Sequence, residues 1–392
     1  MGRINFRAAV AQIIICSIGL GLLGCAGNAT GGNSNGGGPG GGGGVTANAQ
    51  GTVLLPNGGQ GVAIVHIEDN FGNLLSTPLV TNLKAAGPVT VIAESPDLSQ
   101  GLVASGQSLQ TLNDAATSPK IVDNLSVAGF GSPVSAAVLS DSTFSNVQMS
   151  QVTDWFTTCF TGGLHMAQGQ TISAGQAQVM AVNASPDGNW MAQWDTDGSL
   201  AMWGVTATTN PHAVSFYGPW WFSVAPPIIG GRGALAFSSN SSILLQGGSD
   251  GSLNAFTLNS SNGNWTQGTQ VFLQGNPAVA SIAFAPGGQY AIVATNAGLF
   301  TITVDGSGSP VVVSGPANLP YQAADGNTYQ LLGAQSIAIT QDGKYLVALT
   351  DQPSSANGTL VAMPVDASGN VGSAGITKSF LANPNMDVLF AH

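Results

Sequence analysis

Residues Ser281–Asp305 read SIAFAPGGQYAIVATNAGLFTITVD, and within them three short strands are separated by two turns. Ser281–Ala285 alternates apolar and small residues up to Pro286-Gly287-Gly288. Tyr290–Thr295 is a second run, and after Asn296-Ala297-Gly298 the stretch Leu299–Val304 alternates again. Alternation of period two marks strands with a buried face, and Pro-Gly and Asn-Ala-Gly supply turn chemistry.

The same grammar recurs on either side. Aligned on the turn after each first strand, Pro96, Asp141, Pro186, Ser239, Pro286 and Gln341 follow one another at intervals of 45 to 55 residues. A glycine-led third strand recurs at Gly251-Ser252-Leu253, Gly298-Leu299-Phe300 and Gly358-Thr359-Leu360. Units of this length with four short strands each predict an all-β fold of β-propeller blades, and the period of two excludes a helical solenoid. The unit from Ser135 to about Gln170 fits the pattern poorly.

Composition agrees. Of 392 residues only 6% are charged and 43% are hydrophobic, with 55 glycines, which is too apolar for a disordered chain and too rich in glycine for a helical one. The formal net charge is −11, and past Arg7 the only cations are Lys84, Lys120, Arg232, Lys344 and Lys378. So few scattered positive charges cannot neutralise a phosphate backbone, which excludes nucleic acid as a partner and disfavours adhesion to anionic lipid.

Tyr290-Ala291-Ile292-Val293-Ala294-Thr295-Asn296, after a Pro-Gly turn and before a strand ending in Val304-Asp305, resembles the YVTN-type repeat of seven-bladed lactonase-like propellers. The resemblance covers roughly residues 88–380 and rests on strand and turn signatures. It implies seven blades of four antiparallel strands and, as one reading of activity, hydrolysis of a sugar lactone at the propeller centre.

The ends of the chain suggest how such a ring closes. Gly51–Pro56 and the stretch from Gly61 to Val80 match the second to fourth strands of a blade that lacks its first strand. Asn383–Ala391 resembles the first-strand stretch Asn276–Ala285, so the C-terminal strand is expected to complete the N-terminal blade.

Residues 1–24 read as an export signal, with Arg3 and Arg7 ahead of an apolar run from Ala8 to Gly24. Leu22-Leu23-Gly24-Cys25 resembles the bacterial lipoprotein signal, which implies cleavage before Cys25 and lipidation of that residue. The expectation is a lipid-anchored protein of the bacterial cell envelope, at the outer membrane in a diderm because Ala26 follows the cysteine. Residues 25–50, with Gly40 to Gly44, form a flexible tether, and residues 51–392 form the propeller domain. Loss of Cys16 and modification of Cys25 would leave Cys159 a lone thiol, with no disulfide and no cysteine metal cluster.

Candidate chemistry is sparse. Asp97, Asp187 and Asp342 lie in Ser-Pro-Asp, Ser-Pro-Asp-Gly and Gln-Asp-Gly contexts that hairpin turns demand. Gly247-Gly248-Ser249-Asp250-Gly251 matches a hydrolase elbow in form, but it falls between two strands of a repeat and reads as a hairpin. His66, His165, His212 and His392 show no metal-ligand spacing, and no metal or cofactor is expected. Turns between second and third strands are expected to share the ligand-facing end and to carry Glu68, Asp69, Asp195, Asp197, Asp250 and Asp351.

Asn210–Gly233 gathers His212, Tyr217, Trp220, Trp221, Phe222 and Arg232 in one of the longer units. It is expected as the link from an outer strand to the next inner strand. There its aromatic rings would stack on a sugar or a partner with Arg232 fixing orientation, or else fill the gap between blades. The favoured reading is a monomeric, lipid-anchored scaffold for an envelope protein or glycan; the lactonase-like hydrolase is the alternative.

Overall fold

The chain folds as a succession of antiparallel meanders, because each apolar run is long enough for one strand and is followed by Gly, Asp or Asn in a turn. The computed structural model describes residues 51–57, 59, 61–69, 73–95, 99–113, 119–128, 132–139, 144–149, 155–160, 163–172, 177–209, 212–227, 234–323, 326–334, 336–351, 358–373, 376–379 and 390–391. The signal segment and tether expected before Gly51 lie outside them.

The first sheet contains β1 (Thr52–Pro56), β2 (Val62–Glu68) and β3 (Leu74–Leu83). The second runs through β4 (Val89–Glu94), β5 (Gln100–Ser105), β6 (Ser108–Asn113) and β7 (Lys120–Ser126), and the third through β8 (Pro133–Val138), β9 (Phe144–Met149), β10 (Trp155–Cys159) and β11 (His165–Ile172). The fourth comprises β12 (Val179–Ala184), β13 (Trp190–Asp195), β14 (Ser199–Thr209) and β15 (His212–Ser223). The fifth comprises β16 (Leu235–Phe237), β17 (Ile243–Gly247), β18 (Ser252–Asn259), β19 (Asn264–Gln267) and β20 (Val271–Phe272). The sixth has β21 (Val279–Phe284), β22 (Ala291–Thr295), β23 (Gly298–Val304) and β24 (Pro310–Ala317). After a hairpin of β25 (Pro320–Gln322) and β26 (Thr328–Gln330), the last sheet has β27 (Ser336–Ile339), β28 (Tyr345–Asp351), β29 (Gly358–Pro364) and β30 (Ile376–Ser379). A final strand, β31 (Phe390–Ala391), pairs with β1 through Val53↔Ala391 and Leu54↔Phe390.

This is an all-β propeller with four-stranded antiparallel blades, and the quoted stretch falls on β21 to β23 as read. The expectation of seven like blades needs correction: six sheets have four strands, while the fifth sheet has five. Its outer edge is split into β19 and β20, both paired to β18, on either side of Gly268. A Cβ at Gly268 would stand 2.1 Å from the carbonyl oxygen of Gly308, so the strand breaks where the neighbouring sheet's turn presses on it. The third sheet, the unit that fitted the pattern poorly, is a four-stranded meander with a register break between Phe156 and Thr158 of β10. Of the expected closing stretch Asn383–Ala391, residues 383–389 lie outside the described residues.

The core lies between sheets. Val53, Val65 and Ile67 of the first sheet pack on Val347, Leu349 and Leu360 of the last, and Leu54 and Ile64 pack on Ile92 and Val103 of the second. The largest cluster joins the fourth, fifth and sixth sheets around Trp190, Trp194, Phe256, Trp265 and Phe300. Hydrogen bonds also cross between innermost strands: the Val182 N–H donates to Ser135 Oγ at 3.1 Å, Ile337 N–H donates to Ser281 Oγ at 3.1 Å, and Asn183 Nδ2 donates to the Leu235 carbonyl at 2.8 Å. Cys159 is buried and, in the uncut chain, disulfide-bonded; the lone thiol was expected of the chain without Cys16 and with Cys25 modified. The uncut chain still holds Cys16 and Cys25, both outside the described residues.

Candidate functional site

Antiparallel alternation sorts the turns into two ends. Turns between second and third strands, and links to the next sheet, lie at one end, here the upper; the remaining turns lie at the lower end. Because β1 pairs with β31 on its inner side, β1 is a second strand and the β2–β3 turn is a lower one. Glu68 and Asp69 therefore sit at the lower end, contrary to expectation, while Asp195, Asp197, Asp250 and Asp351 keep their upper places.

The upper turn of the fourth sheet, Asp195-Thr196-Asp197-Gly198, is held from both sides. Thr196 N–H donates to the Gln178 carbonyl in the incoming link at 2.9 Å, and Val224 N–H, just past β15, donates to the Gly198 carbonyl at 2.9 Å. Gly198 has φ 87°, and a Cβ there would lie 2.2 Å from the Val224 carbonyl oxygen, so only glycine lets the link approach. Asp197 is a solvated turn residue whose Oδ1 accepts the Ser199 N–H at 2.9 Å.

Asp195 differs. It ends β13 with only 1% of its surface exposed. Gln193, two residues back and buried on the same face, donates from Nε2 to Asp195 Oδ1 at 2.8 Å, while Oδ2 has no hydrogen-bond partner. Burial pushes the carboxyl up to about 6, with Gln193 pulling it back and Asp197 adding repulsion. A carboxyl that titrates near neutrality, with one oxygen held and the other unpaired, is suited to taking and returning a proton. In Trp190–Asp195, WMAQWD, the polar residues Gln193 and Asp195 at alternate positions were the signal in the sequence, and the Asp-x-Asp-Gly turn pattern masked it.

The aromatic candidates occupy a strand, correcting the expected link. β14 continues to Thr209 and β15 begins at His212, so Tyr217, Trp220, Trp221 and Phe222 belong to the outer strand of the fourth sheet. Their aromatic and β-branched neighbours favour a long ladder there. Trp220 stands edge-on to Trp190 with centroids 5.5 Å apart, and Phe222 meets Phe256 of the fifth sheet at 4.7 Å. Tyr217 stands edge-on to both Trp190 and Trp220 at 6.1 Å. Trp221 lies between Trp220 and Phe222 in the alternation and points to the other face, 48% exposed. The structure thus gathers Tyr217, Trp220 and Phe222 at the junction of two sheets and separates Trp221 from them. His212 starts β15 opposite Thr209 at the lower end, and Arg232 and Cys25 lie outside the described residues.

Other turn readings hold. Asp187 Oδ1 accepts the Asn189 N–H at 3.1 Å, Asp342 Oδ1 accepts the Lys344 N–H at 3.0 Å, and Gly247–Gly251 spans the β17–β18 turn; Asp97 lies outside the described residues. His66 Nδ1 lies 3.0 Å from Thr52 Oγ1. Among the described residues, no group of three or more His, Cys, Asp or Glu side chains is placed to hold a metal ion.

No protein-family model and no curated protein matches the chain. Solved structures do. A candidate 6-phosphogluconolactonase of Bacteroides fragilis superposes with a TM-score of 0.66 at 16% identity, covering 88% of this chain and 98% of its own. The periplasmic gluconolactonase of Pseudomonas aeruginosa gives a TM-score of 0.63 at 14% identity, covering 86% of this chain and 98% of its own. A fungal propeller domain, that of Myceliophteria thermophila Cps50, gives 0.51 at 13% identity over 75% of this chain and 91% of its own. The class these likenesses define is the β-propeller; at such identities they establish the fold alone.

Proposed function

We propose that this chain is a propeller hydrolase of the lactonase kind, with Asp195 as its acid–base group. The observation that carries the proposal is the buried Asp195 carboxyl, with Oδ1 held by Gln193, Oδ2 unpaired and a titration point near 6. Two of the structural likenesses carry lactonase names, which favours the hydrolase over the scaffold that the sequence alone favoured. In the reaction, ionised Asp195 takes a proton from water as the water oxygen attacks the lactone carbonyl. The ring C–O bond then breaks, and the proton passes to the departing alkoxide, giving the open hydroxy acid. With one arginine and four lysines beyond residue 24, the chain is poor in groups to hold a phosphate, so the substrate class is a neutral sugar lactone rather than a sugar phosphate.

The test is turnover of gluconolactone and of its 6-phosphate by the full chain. Gluconolactone should be opened faster, with kcat rising as pH passes through about 6. Asp195→Asn should lower kcat by about 10²–10⁴ without lowering the melting temperature. Full activity in that variant, or no turnover of either lactone, would overturn the proposal.

Scaffold binding remains a second reading because Trp221 presents half its surface on an outer strand. Loss of glycan or envelope-protein retention in Trp221→Ala, with lactone turnover intact, would select it. The remaining expectations belong to the same proposal: export, lipidation at Cys25, a monomer tethered in the envelope, and a ring closed by the C-terminal strand beside β1. The β1–β31 pairing and the buried cluster between first and last sheets support the closure.

A further inference from the structure

The junction of the first and last sheets is apolar along most of its length, but its lower end holds a group of ionisable side chains. Glu68 ends β2 with 7% of its surface exposed, and neither carboxylate oxygen has a hydrogen-bond partner. The stem of this side chain lies against the backbone of Gly51, where a Cβ would stand 2.4 Å from Glu68 Cβ, and Gly51 accepts the Ile67 N–H at 2.8 Å. Glu68 therefore cannot swing out past Gly51 without moving β1.

From the last sheet, the β27–β28 turn brings Asp342 and Lys344 towards this carboxyl, and Tyr345 begins β28 beside them. The Tyr345 hydroxyl is hydrogen-bonded to the backbone of Leu74, which stands opposite Glu68 in the ladder. Lys344 Nζ is 2.7 Å from Asp342 Oδ2, so its charge is largely answered there. On its own sheet Glu68 has Asp69, which caps Asn73 at 3.0 Å, and His66, hydrogen-bonded to Thr52.

We propose that Glu68 is a proton-operated latch on the junction between the first and last sheets: neutral, it lets them close; ionised, it loosens them. A buried carboxylate without a donor bears its full desolvation cost, and two nearby carboxylates add to it. Burial foremost, then Asp342 and Asp69, with Lys344 opposing, push Glu68 up to about 7. An opened junction returns it to water and to its ordinary value of 4.5. The closed form is thus fully favoured below that value, and the advantage is lost as pH rises through about 7.

Amide hydrogen exchange on the full chain at pH 5 and pH 8 tests this, with Ile292 and Val293 of β22 as an internal reference for the intrinsic rate. Protection at Val65, Ile67, Val347 and Leu349 should fall at least about tenfold relative to β22, the equivalent of one pK unit. Glu68→Gln should abolish the step, and Asp342→Asn should move its midpoint to lower pH. A constant ratio of junction to β22 protection in the unmodified chain, an unmoved midpoint in Asp342→Asn, or a step retained in Glu68→Gln would overturn the latch. If Glu68→Gln does not fold, the unmodified chain and Asp342→Asn still decide.

Discussion

Gly204 stands at the register irregularity between β14 and β15, where the ring of Tyr217 fills the space its own side chain would need. A Cβ on Gly204 would lie 2.0 Å from Tyr217 Cζ. The ring is kept there by edge contacts with Trp190 and Trp220, so it cannot retreat without undoing both. Gly204→Ala should therefore destabilise the fold by roughly 1–3 kcal/mol, the usual cost of overpacking, measured by thermal or denaturant unfolding. The same substitution in a Tyr217→Ala background should cost little. Equal penalties in both backgrounds would mean that the ring is not what Gly204 accommodates. This pairing left no mark in the sequence, and the alternation of Gln193 and Asp195 that pointed to a buried carboxyl was masked, for a common reason. Asp195 and Asp197 look alike in an Asp-x-Asp-Gly turn, and what separates them is the link holding Gln178 and the face of β13 turned inward, both set by tertiary packing. The turn itself, by contrast, was plain from Gly198.

Individual strands were the most legible part. β21 to β23 fall where alternation and Pro-Gly chemistry put them, since those signals act within a few residues. The longer units were harder, because extra length can go into a loop, a longer strand or a new element. Between Pro186 and Ser239 much of it went into the extended β14–β15 hairpin, and between Pro286 and Gln341 into the β25–β26 hairpin, where Tyr321 and, just past β26, Leu331 pack onto the sixth and last sheets. The serine at the start of some inner strands serves a purpose that alternation does not reveal. Ser281 and Ser135 each accept a backbone N–H from the next sheet's inner strand, joining elements more than 40 residues apart. Removing one acceptor leaves a buried donor unpaired, at a cost of about 1–3 kcal/mol. Ser281→Ala should lower the denaturant midpoint accordingly and speed exchange of the Ile337 amide, leaving Val182 protected. A variant with unchanged midpoint and unchanged Ile337 exchange would show that the inter-sheet bond contributes nothing.

For the molecule as a whole, the low share of charged residues leaves burial between neighbouring sheets as the main source of stability, so each sheet depends on having another on both sides. For the first sheet that dependence extends to the far end of the chain. β1 meets Phe390 and Ala391 on one edge, and its apolar face packs on β28 and β29 of the last sheet. Without Phe390 and Ala391, β1 would present an unpaired edge at Val53 and Leu54. A chain truncated at Asn383 should therefore melt well below the full chain and, through the open edge of β1, associate in a concentration-dependent way visible by sedimentation. The loss should be centred on the first sheet, so that amides of β1 and β2 exchange faster while those of β22 keep their protection until global unfolding. An unchanged melting temperature with monomeric behaviour would mean that the first sheet holds without β31, and that its packing on the last sheet suffices.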